Sequence, residues 1–191
     1  MRRGLLALLV FLSPLSAAPR AALYGHFPYS EASSDQLADA GHYRDTGRVV
    51  RLRAEAAAAF RAMVAAAAAE DVKVVPVSGF RAVSYQKGLW DRAVARRGSP
   101  QAAARWVAPP GHSEHHTGWA LDVADGDVPQ AQDIETSFEK TKAFAWLQAH
   151  AAQHHFELSF PAGNAQGVSY EPWHWRYTGT QESRRLFHPE K

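Results

Sequence analysis

Histidine and carboxylate side chains recur at two places in this chain, at spacings that suit one metal ion. In the stretch 113–122, His115 and Asp122 are seven residues apart, with only small residues at 118 and 120 between them to leave room for convergence. Near the C-terminus, Glu171 precedes His174 by three residues. Zinc accepts imidazole and carboxylate ligands, and a catalytic zinc site keeps three protein ligands and one open position. The two stretches therefore predict one metal centre.

The residue types alone leave open which histidine of the first stretch binds the metal. His112, His115 and His116 are all candidates, and loop histidines without a ligand role are common. His150 and His154 are one helical turn apart, but the glutamate of the helical metalloprotease motif is missing between them. Histidines near the end of a helix are also favoured by its dipole. We therefore interpret the second pair as structural.

Three further residues are candidates for catalysis or substrate binding. A carboxylate beside zinc can take a proton from water and hand it to a leaving amine, which is the role that we assign to Glu171. Arg81 follows a Ser-Gly turn and is either a surface arginine or a clamp for a carboxylate or oxyanion. Ser113 lacks the Gly-x-Ser-x-Gly frame of a serine nucleophile, so a positioning role is expected.

Charge and composition exclude several classes of protein. The chain has 21 basic and 19 acidic residues, and Arg2 and Arg3 lie in a leader-like segment without acids. Without that segment the charges balance, so nothing favours nucleic acid or an anionic membrane as a partner. The absence of cysteine excludes disulfides, thiolate metal ligands and a cysteine nucleophile. Any metal must therefore be held by histidine and carboxylate.

The N-terminus has the features of a secretory signal. A basic start is followed by an apolar run to about Leu15 and by small residues. The run is shorter than the ~20 residues that a membrane span needs. We expect a signal peptide over about 1–18, an N-terminal extension over 19–45 and the functional domain over 46–191. The mature protein is expected to be exported, and to be periplasmic, extracellular or associated with the cell wall. The sequence does not indicate its oligomeric state.

The hydrophobic pattern predicts a mixture of helices and short strands in a single domain of 191 residues, which is typical of the α+β class. Pro76 predicts that its strand lies at a sheet edge or that its pairing ends early. Helices are predicted over about 48–70, 84–97 and 138–155, with a short one starting at 99–100. Strands are predicted over 72–77, 118–124, 156–160 and 173–177, and residues 30–43 are predicted to be loop.

Taken together, the motifs resemble those of a known family. The pattern SxHxxGxAxD at 113–122, followed by Glu171-x-x-His174, is similar to the VanY-type D-alanyl-D-alanine carboxypeptidases. These are zinc peptidases in a group with VanX-type dipeptidases, lysostaphin-like enzymes and hedgehog domains. The block Ser78-Gly79-Phe80-Arg81, with Gln86 beyond it, also resembles the family. The resemblance extends from about residue 45 to residue 180.

The resemblance implies a small α+β domain with a central antiparallel sheet flanked by helices. It also implies one zinc ion with three ligands, a catalytic base and three substrate contacts. The zinc ligands are His115, Asp122 and His174. The catalytic base is Glu171. The substrate contacts are Arg81, Gln86 and Ser113.

The activity implied is removal of the terminal D-alanine from peptidoglycan stem peptides, which lie outside the cytoplasmic membrane. An L,D-carboxypeptidase or a D,D-dipeptidase on the same scaffold is an alternative, because the same motifs serve all three activities. A zinc-containing cell-wall-binding module without catalysis is a further alternative. The presence of Glu171 argues against that module.

Overall fold

A four-stranded antiparallel sheet and a separate two-stranded hairpin form the β part of the domain. The computed structural model describes residues 21–188, so the expected signal peptide lies outside the described residues. The strands are β1 Leu37–Tyr43, β2 Arg48–Arg53, β3 Val74–Ser78, β4 Ala120–Asp125, β5 Phe156–Leu158 and β6 His174–Tyr177. The helices are α1 Ala54–Ala69, α2 Val83–Arg97, α3 Pro100–Ala104, α4 Lys142–His150 and α5 Gln181–Phe187. The predicted α+β class with an antiparallel sheet is confirmed.

The sheet has the strand order β3-β4-β6-β5, which makes β4 and β6 its central strands. Pro76 lies on β3, an edge strand, as its missing N–H predicts. Among the helices of residues 21–188, none combines the length and the apolar character that crossing a bilayer demands.

The β1-β2 hairpin differs from the prediction. The loop predicted over 30–43 is wrong at its end, where β1 forms, and the helix predicted from residue 48 begins only at Ala54 because the preceding residues form β2. β1 contains almost no residues that favour strands, and Gly41 lies at a shift in its register. Pairing with β2 and packing against α1 and β3 stabilise it instead. β1 lies inside the segment 19–45, which the sequence analysis expected to be an N-terminal extension.

The other elements agree with their predictions to within a few residues, except for the helix predicted over 138–155. Ser99 caps α3 by accepting the N–H of Ala102, and Pro100 is the first helical residue. The helix predicted over 138–155 is divided into α4 and two flanking 3-10 turns, Thr136–Lys140 and Ala151–His154.

The core lies between α1 and one face of the sheet. Ala56, Phe60, Met63 and Ala67 recur at helical spacing on α1 and are fully buried. Burying a side chain such as Phe60 contributes about 1.5–3 kcal/mol. All six residues of β4 are buried. Because side chains alternate along a strand, β4 points Leu121 and Val123 into this core and Asp122 to the opposite face.

Gly118 joins the turn that carries His115 to β4. Its φ of +72° is left-handed, and a Cβ there would lie 3.0 Å from Leu37 Cδ2 and 3.1 Å from Arg53 Cγ. The left-handed φ and the close packing of the β1-β2 hairpin therefore both favour glycine at this position. The expectation that it makes room beside the metal ligands is wrong.

Replacing Gly118 by alanine is expected to lower the free energy of unfolding by about 3 kcal/mol, from a left-handed φ (~1–2 kcal/mol) plus overpacking (~1–3 kcal/mol). Gly47→Ala is the matched control, since its φ is +70° and a Cβ there would meet nothing within 4 Å. The control should lose only the conformational part. Urea denaturation measures both, and equal losses would show that contact with Leu37 and Arg53 does not restrict the turn.

Candidate metal centre

Three buried side chains from different elements converge on one point. His115 lies on the 3-10 turn Glu114–Thr117, Asp122 on β4 and His174 at the start of β6. The register of the two central strands places Asp122 directly opposite His174. One potential ligand atom from each of the three residues lies within 4.8 Å of the others. The structure thus brings together the three residues predicted to bind zinc.

The atoms facing one another suit a tetrahedral ion. Nε2 of His115 lies 3.2 Å from Oδ2 of Asp122, and Nδ1 of His174 lies 3.3 Å from Oδ1. Two ligands of one tetrahedral zinc ion are about 3.3 Å apart at bond lengths near ~2.0–2.1 Å. Within residues 21–188, no hydrogen-bond donor satisfies the buried Oδ1 of Asp122. A buried charged oxygen without a donor is costly, so the residues fit a zinc ion.

The remaining nitrogen of each histidine has its own partner. Nδ1 of His115 donates to the carbonyl oxygen of Gly79 at 2.7 Å. Nε2 of His174 donates to Oε2 of Glu114 at 3.1 Å. Such outer partners fix the tautomer and the ring orientation of metal-binding histidines. They leave Nε2 of His115 and Nδ1 of His174 free to face the ion.

The two neighbouring histidines are occupied elsewhere. Nδ1 of His116 donates to the carbonyl oxygen of Arg81 at 2.6 Å, while its Nε2 accepts the N–H of Gly111 at 3.1 Å. Nδ1 of His112 contacts the carbonyl oxygen of Pro110 at 3.1 Å. Neither belongs to the cluster of potential ligands. The geometry therefore distinguishes His115 where the residue types alone did not.

Glu171 lies beside the cluster, with its Oε2 3.4 Å from Nδ1 of His174. Burial raises the pKa of Glu171 to about 8, against the opposing charge of His174. A cation held by the cluster would lower that pKa, because an opposite charge favours the ionised carboxylate. The two effects together bring the pKa towards neutrality, where a general base is most effective.

Glu114 is a fully buried carboxylate that the sequence analysis did not single out. Besides His174, it accepts hydrogen bonds from Ser159 at 2.6 Å and from Arg176 at 2.8 Å. Burial alone would raise the pKa of Glu114, but the charge of Arg176 and the hydrogen bond from His174 hold it below its usual range. Glu114 is therefore an ionised anchor for His174. In the sequence, only its position beside His115 could have pointed to Glu114. Its partner Arg176 lies 62 residues away, so the ion pair could not be inferred.

The electrostatics of the two histidines favour a cation. Burial alone would lower the pKa of His174, but the neighbouring carboxylates of Asp122 and Glu114 raise it to about 10. Burial, with the charge of Arg81, lowers the pKa of His115 to about 4. A positive charge on His174, between the carboxylates of Asp122 and Glu114, is thus favourable. A metal ion bound at His174 would take the place of the proton that carries this charge.

The three predicted substrate contacts line the cavity of about 540 Å³ into which the cluster opens. Arg81 donates to Oε1 of Gln86 at 3.0 Å, and its Nη2 lies 3.4 Å from Oδ2 of Asp122. Gln86 is buried and donates to the carbonyl oxygen of Ala108 at 2.8 Å. Ser113 forms part of the same wall. Arg81 therefore links the ligand cluster to α2.

A buried cluster of two histidines and one aspartate, with a second carboxylate beside it and a cavity in front, is the arrangement of a mononuclear metal-dependent hydrolase. Residues 49–180 match the VanY family, described as D-alanyl-D-alanine carboxypeptidase. The chain belongs to this family.

Individual relatives agree with the family. The putative carboxypeptidase YodJ of Bacillus subtilis is 34% identical over 136 residues, which cover 70% of this chain and 48% of YodJ. The chain spans about half the length of the curated relatives that it matches first. Among solved structures, the LD-carboxypeptidase LdcB, whose structure addresses peptidoglycan recognition, has a TM-score of 0.70 and 29% identity over 84% of this chain and 75% of its own.

A second solved structure bears on the metal. The vancomycin resistance D,D-pentapeptidase VanY, determined as a mutant in complex with Zn(II), has a TM-score of 0.58 and 27% identity. The match covers 77% of this chain and 83% of VanY. The donor set and its spacing in this chain suit the same metal.

Replacing Glu114 by glutamine is expected to weaken zinc binding by about 10–100-fold, the typical effect of losing an outer partner of a metal-binding histidine. Glu157→Gln is the matched control, because Glu157 also contacts Arg176, at 2.7 Å, but is not bonded to His174. The control should bind zinc like the unchanged protein. Competition with a chelator measures both affinities, and circular dichroism confirms that both variants fold. Unchanged affinity in the folded Glu114 variant would contradict the anchoring role.

Proposed function

We propose that this chain is a zinc-dependent carboxypeptidase that removes the terminal D-alanine from peptidoglycan stem peptides. The observation that carries the proposal is the position of Glu171 beside the buried cluster of His115, Asp122 and His174. A non-catalytic metal holder needs no such carboxylate. Membership of the VanY family supports the substrate class, and the site opens into a cavity large enough for a peptide end.

Each residue of the cluster then has a defined task. His115, Asp122 and His174 hold the zinc ion, and Glu114 orients His174 through Nε2. When bound, zinc supplies Lewis-acid activation of a carbonyl group and of water. Glu171 takes the proton of the attacking water and later delivers it to the departing amine of D-alanine. Its burial among apolar and charged neighbours keeps the proton available for this return step.

The terminal carboxylate of the substrate needs a cation or several hydrogen-bond donors. Arg81 forms an ion pair with Asp122 of the cluster at 3.4 Å, and its partly exposed guanidinium lines the cavity. A planar guanidinium binds a carboxylate or a developing oxyanion through paired hydrogen bonds. Gln86 fixes Arg81 by accepting one of its hydrogen bonds, and Ser113 lines the same wall.

The proposal includes an exported enzyme. Stem peptides lie outside the cytoplasmic membrane, and residues 1–18 have the pattern of a signal peptide. Residues 46–191 would then be the zinc carboxypeptidase domain of the mature chain.

A second candidate is L,D-carboxypeptidase activity on a tetrapeptide stem. It is favoured by the fold similarity to LdcB, an LD-carboxypeptidase, at a TM-score of 0.70. The same cluster and the same base would serve both reactions, because they differ only in the residue that precedes the departing D-alanine. Parallel assays on a pentapeptide and a tetrapeptide distinguish the two.

The unchanged protein loaded with zinc is expected to release D-alanine from a synthetic stem pentapeptide, and a chelator should abolish the release. Glu171→Gln should retain zinc but lose about 10²–10⁴-fold in rate, the usual contribution of a general acid–base group. Glu182→Gln, at an exposed side chain on α5, is the control and should keep full activity. Release is measured by an amino-acid assay and zinc by elemental analysis.

Two outcomes would overturn the proposed function. Full activity in Glu171→Gln would remove the assigned base. Zinc binding without release of D-alanine from either peptide would favour the cell-wall-binding module instead.

A further inference from the structure

One face of α2 continues the wall of the cavity outward from the metal cluster. The α2 residues that line the cavity are Gln86, Leu89, Arg92, Ala93, Arg96 and Arg97. Their spacing is that of neighbouring turns on one side of a helix. Gln86, at the inner end, is bonded to Arg81 and through it to Asp122. The outer end of the same face consists of three arginines.

These three arginines have no fixed anionic partner. Among residues 21–188, no carboxylate forms an ion pair with Arg92, Arg96 or Arg97, although Lys87 on the same helix pairs with Asp91 at 2.6 Å. The guanidinium of Arg97 lies over the ring of Trp106, 5.0 Å from its centre. All three side chains are exposed. They leave hydrogen-bond donors available to a bound molecule.

The charge of this part of the wall is positive. Of the acidic residues that line the cavity within 21–188, Glu114, Asp122 and Glu171 belong to the metal centre and its anchor. Glu135 is the remaining one. The outer wall therefore carries more cationic than anionic groups, which favours an anionic ligand.

The length of the helix gives the distance of these arginines from Gln86, at the inner end of the wall. Arg96 is ten residues beyond Gln86, or ~15 Å along the axis at ~1.5 Å per residue. Helical side chains point back by about one turn, which brings its guanidinium to ~10 Å. Arg92 follows this rule, since its Nη1 lies 3.4 Å from the position of a Cβ at Gly88. An extended peptide covers ~3.3 Å per residue, so the guanidinium of Arg96 lies about three extended residues beyond Gln86, on the side away from the cluster.

We propose that Arg92, Arg96 and Arg97 form a subsite for a carboxylate that the substrate carries two to four residues before the scissile bond. The inference rests on the proposed carboxypeptidase function. Such an enzyme leaves only one residue beyond the cleaved bond, so a subsite this far from the metal must receive the upstream part of the peptide. Guanidinium groups recognise carboxylates through paired, charge-assisted hydrogen bonds. The substrate class is therefore an acidic peptide with a terminal D-alanine.

The test uses peptides that share a D-Ala-D-Ala end and differ by a single glutamate or glutamine placed two, three or four residues before the scissile bond. The zinc-loaded protein should show a kcat/KM about tenfold higher for the glutamate member of at least one pair, the effect of a charged hydrogen bond. In Arg92→Gln/Arg96→Gln the ratio within that pair should fall to about one. Arg185→Gln, at an exposed arginine of α5, is the matched control and should keep the ratio.

Equilibrium binding of the same peptides to the zinc-loaded Glu171→Gln variant provides a readout that does not require turnover. Preferential binding of the acidic peptide without release of D-alanine by the unchanged protein would support the subsite and overturn the proposed function. Release of D-alanine with equal rates and equal binding within every pair would overturn the subsite alone. A loss that is the same for both members of a pair in the double variant would also overturn it, since the arginines would then act on a feature that the peptides share.

Discussion

The buried ion pair between Glu114 and Arg176 is the interaction on which the arrangement of the site depends. Charges removed from water are stable only when they are paired and fully hydrogen-bonded, and removing one partner of such a pair is strongly destabilising. Here the carboxylate has three donors, and one of them is His174 of the candidate metal cluster. The pair therefore connects the turn before β4 to β6 and orients His174 at the same time.

The sheet supplies the rest of the geometry. The register between β4 and β6 places Asp122 opposite His174, while the alternate side chains of β4 fill the core against α1. The β1-β2 hairpin packs against Gly118 and so fixes the turn that carries His115. Rigid strands thus hold two ligands, and a tightly packed turn holds the third. This is the kind of preorganisation that a site with fixed ligand distances requires.

The sequence predicted the elements that are determined by the pattern of neighbouring residues. It did not predict features that depend on contacts between residues distant in the sequence. α1, α2 and the central strands have clear periodicity. A His/Asp pair at 115 and 122, together with a Glu/His pair at 171 and 174, predicted a metal centre. β1 is stabilised by pairing with residues that follow a turn, so its own composition does not indicate a strand. Glu114 could not be assigned because its partner Arg176 is distant in sequence. From the residue types alone, His116 was as good a candidate as His115, and its hydrogen bonds to backbone groups became visible only in the structure. The family resemblance, not the spacing, distinguished His115 at the outset.

The central claim is that Nε2 of His115, Nδ1 of His174 and the carboxylate of Asp122 hold one zinc ion. Crystals of the zinc-loaded protein, measured on both sides of the zinc absorption edge, test it directly. The account predicts a single anomalous peak about 2.0–2.2 Å from those three ligands, the normal range for zinc bonds to nitrogen and oxygen. A peak bound instead by His112 or His116, or no peak in the cluster of a zinc-loaded protein, would contradict it.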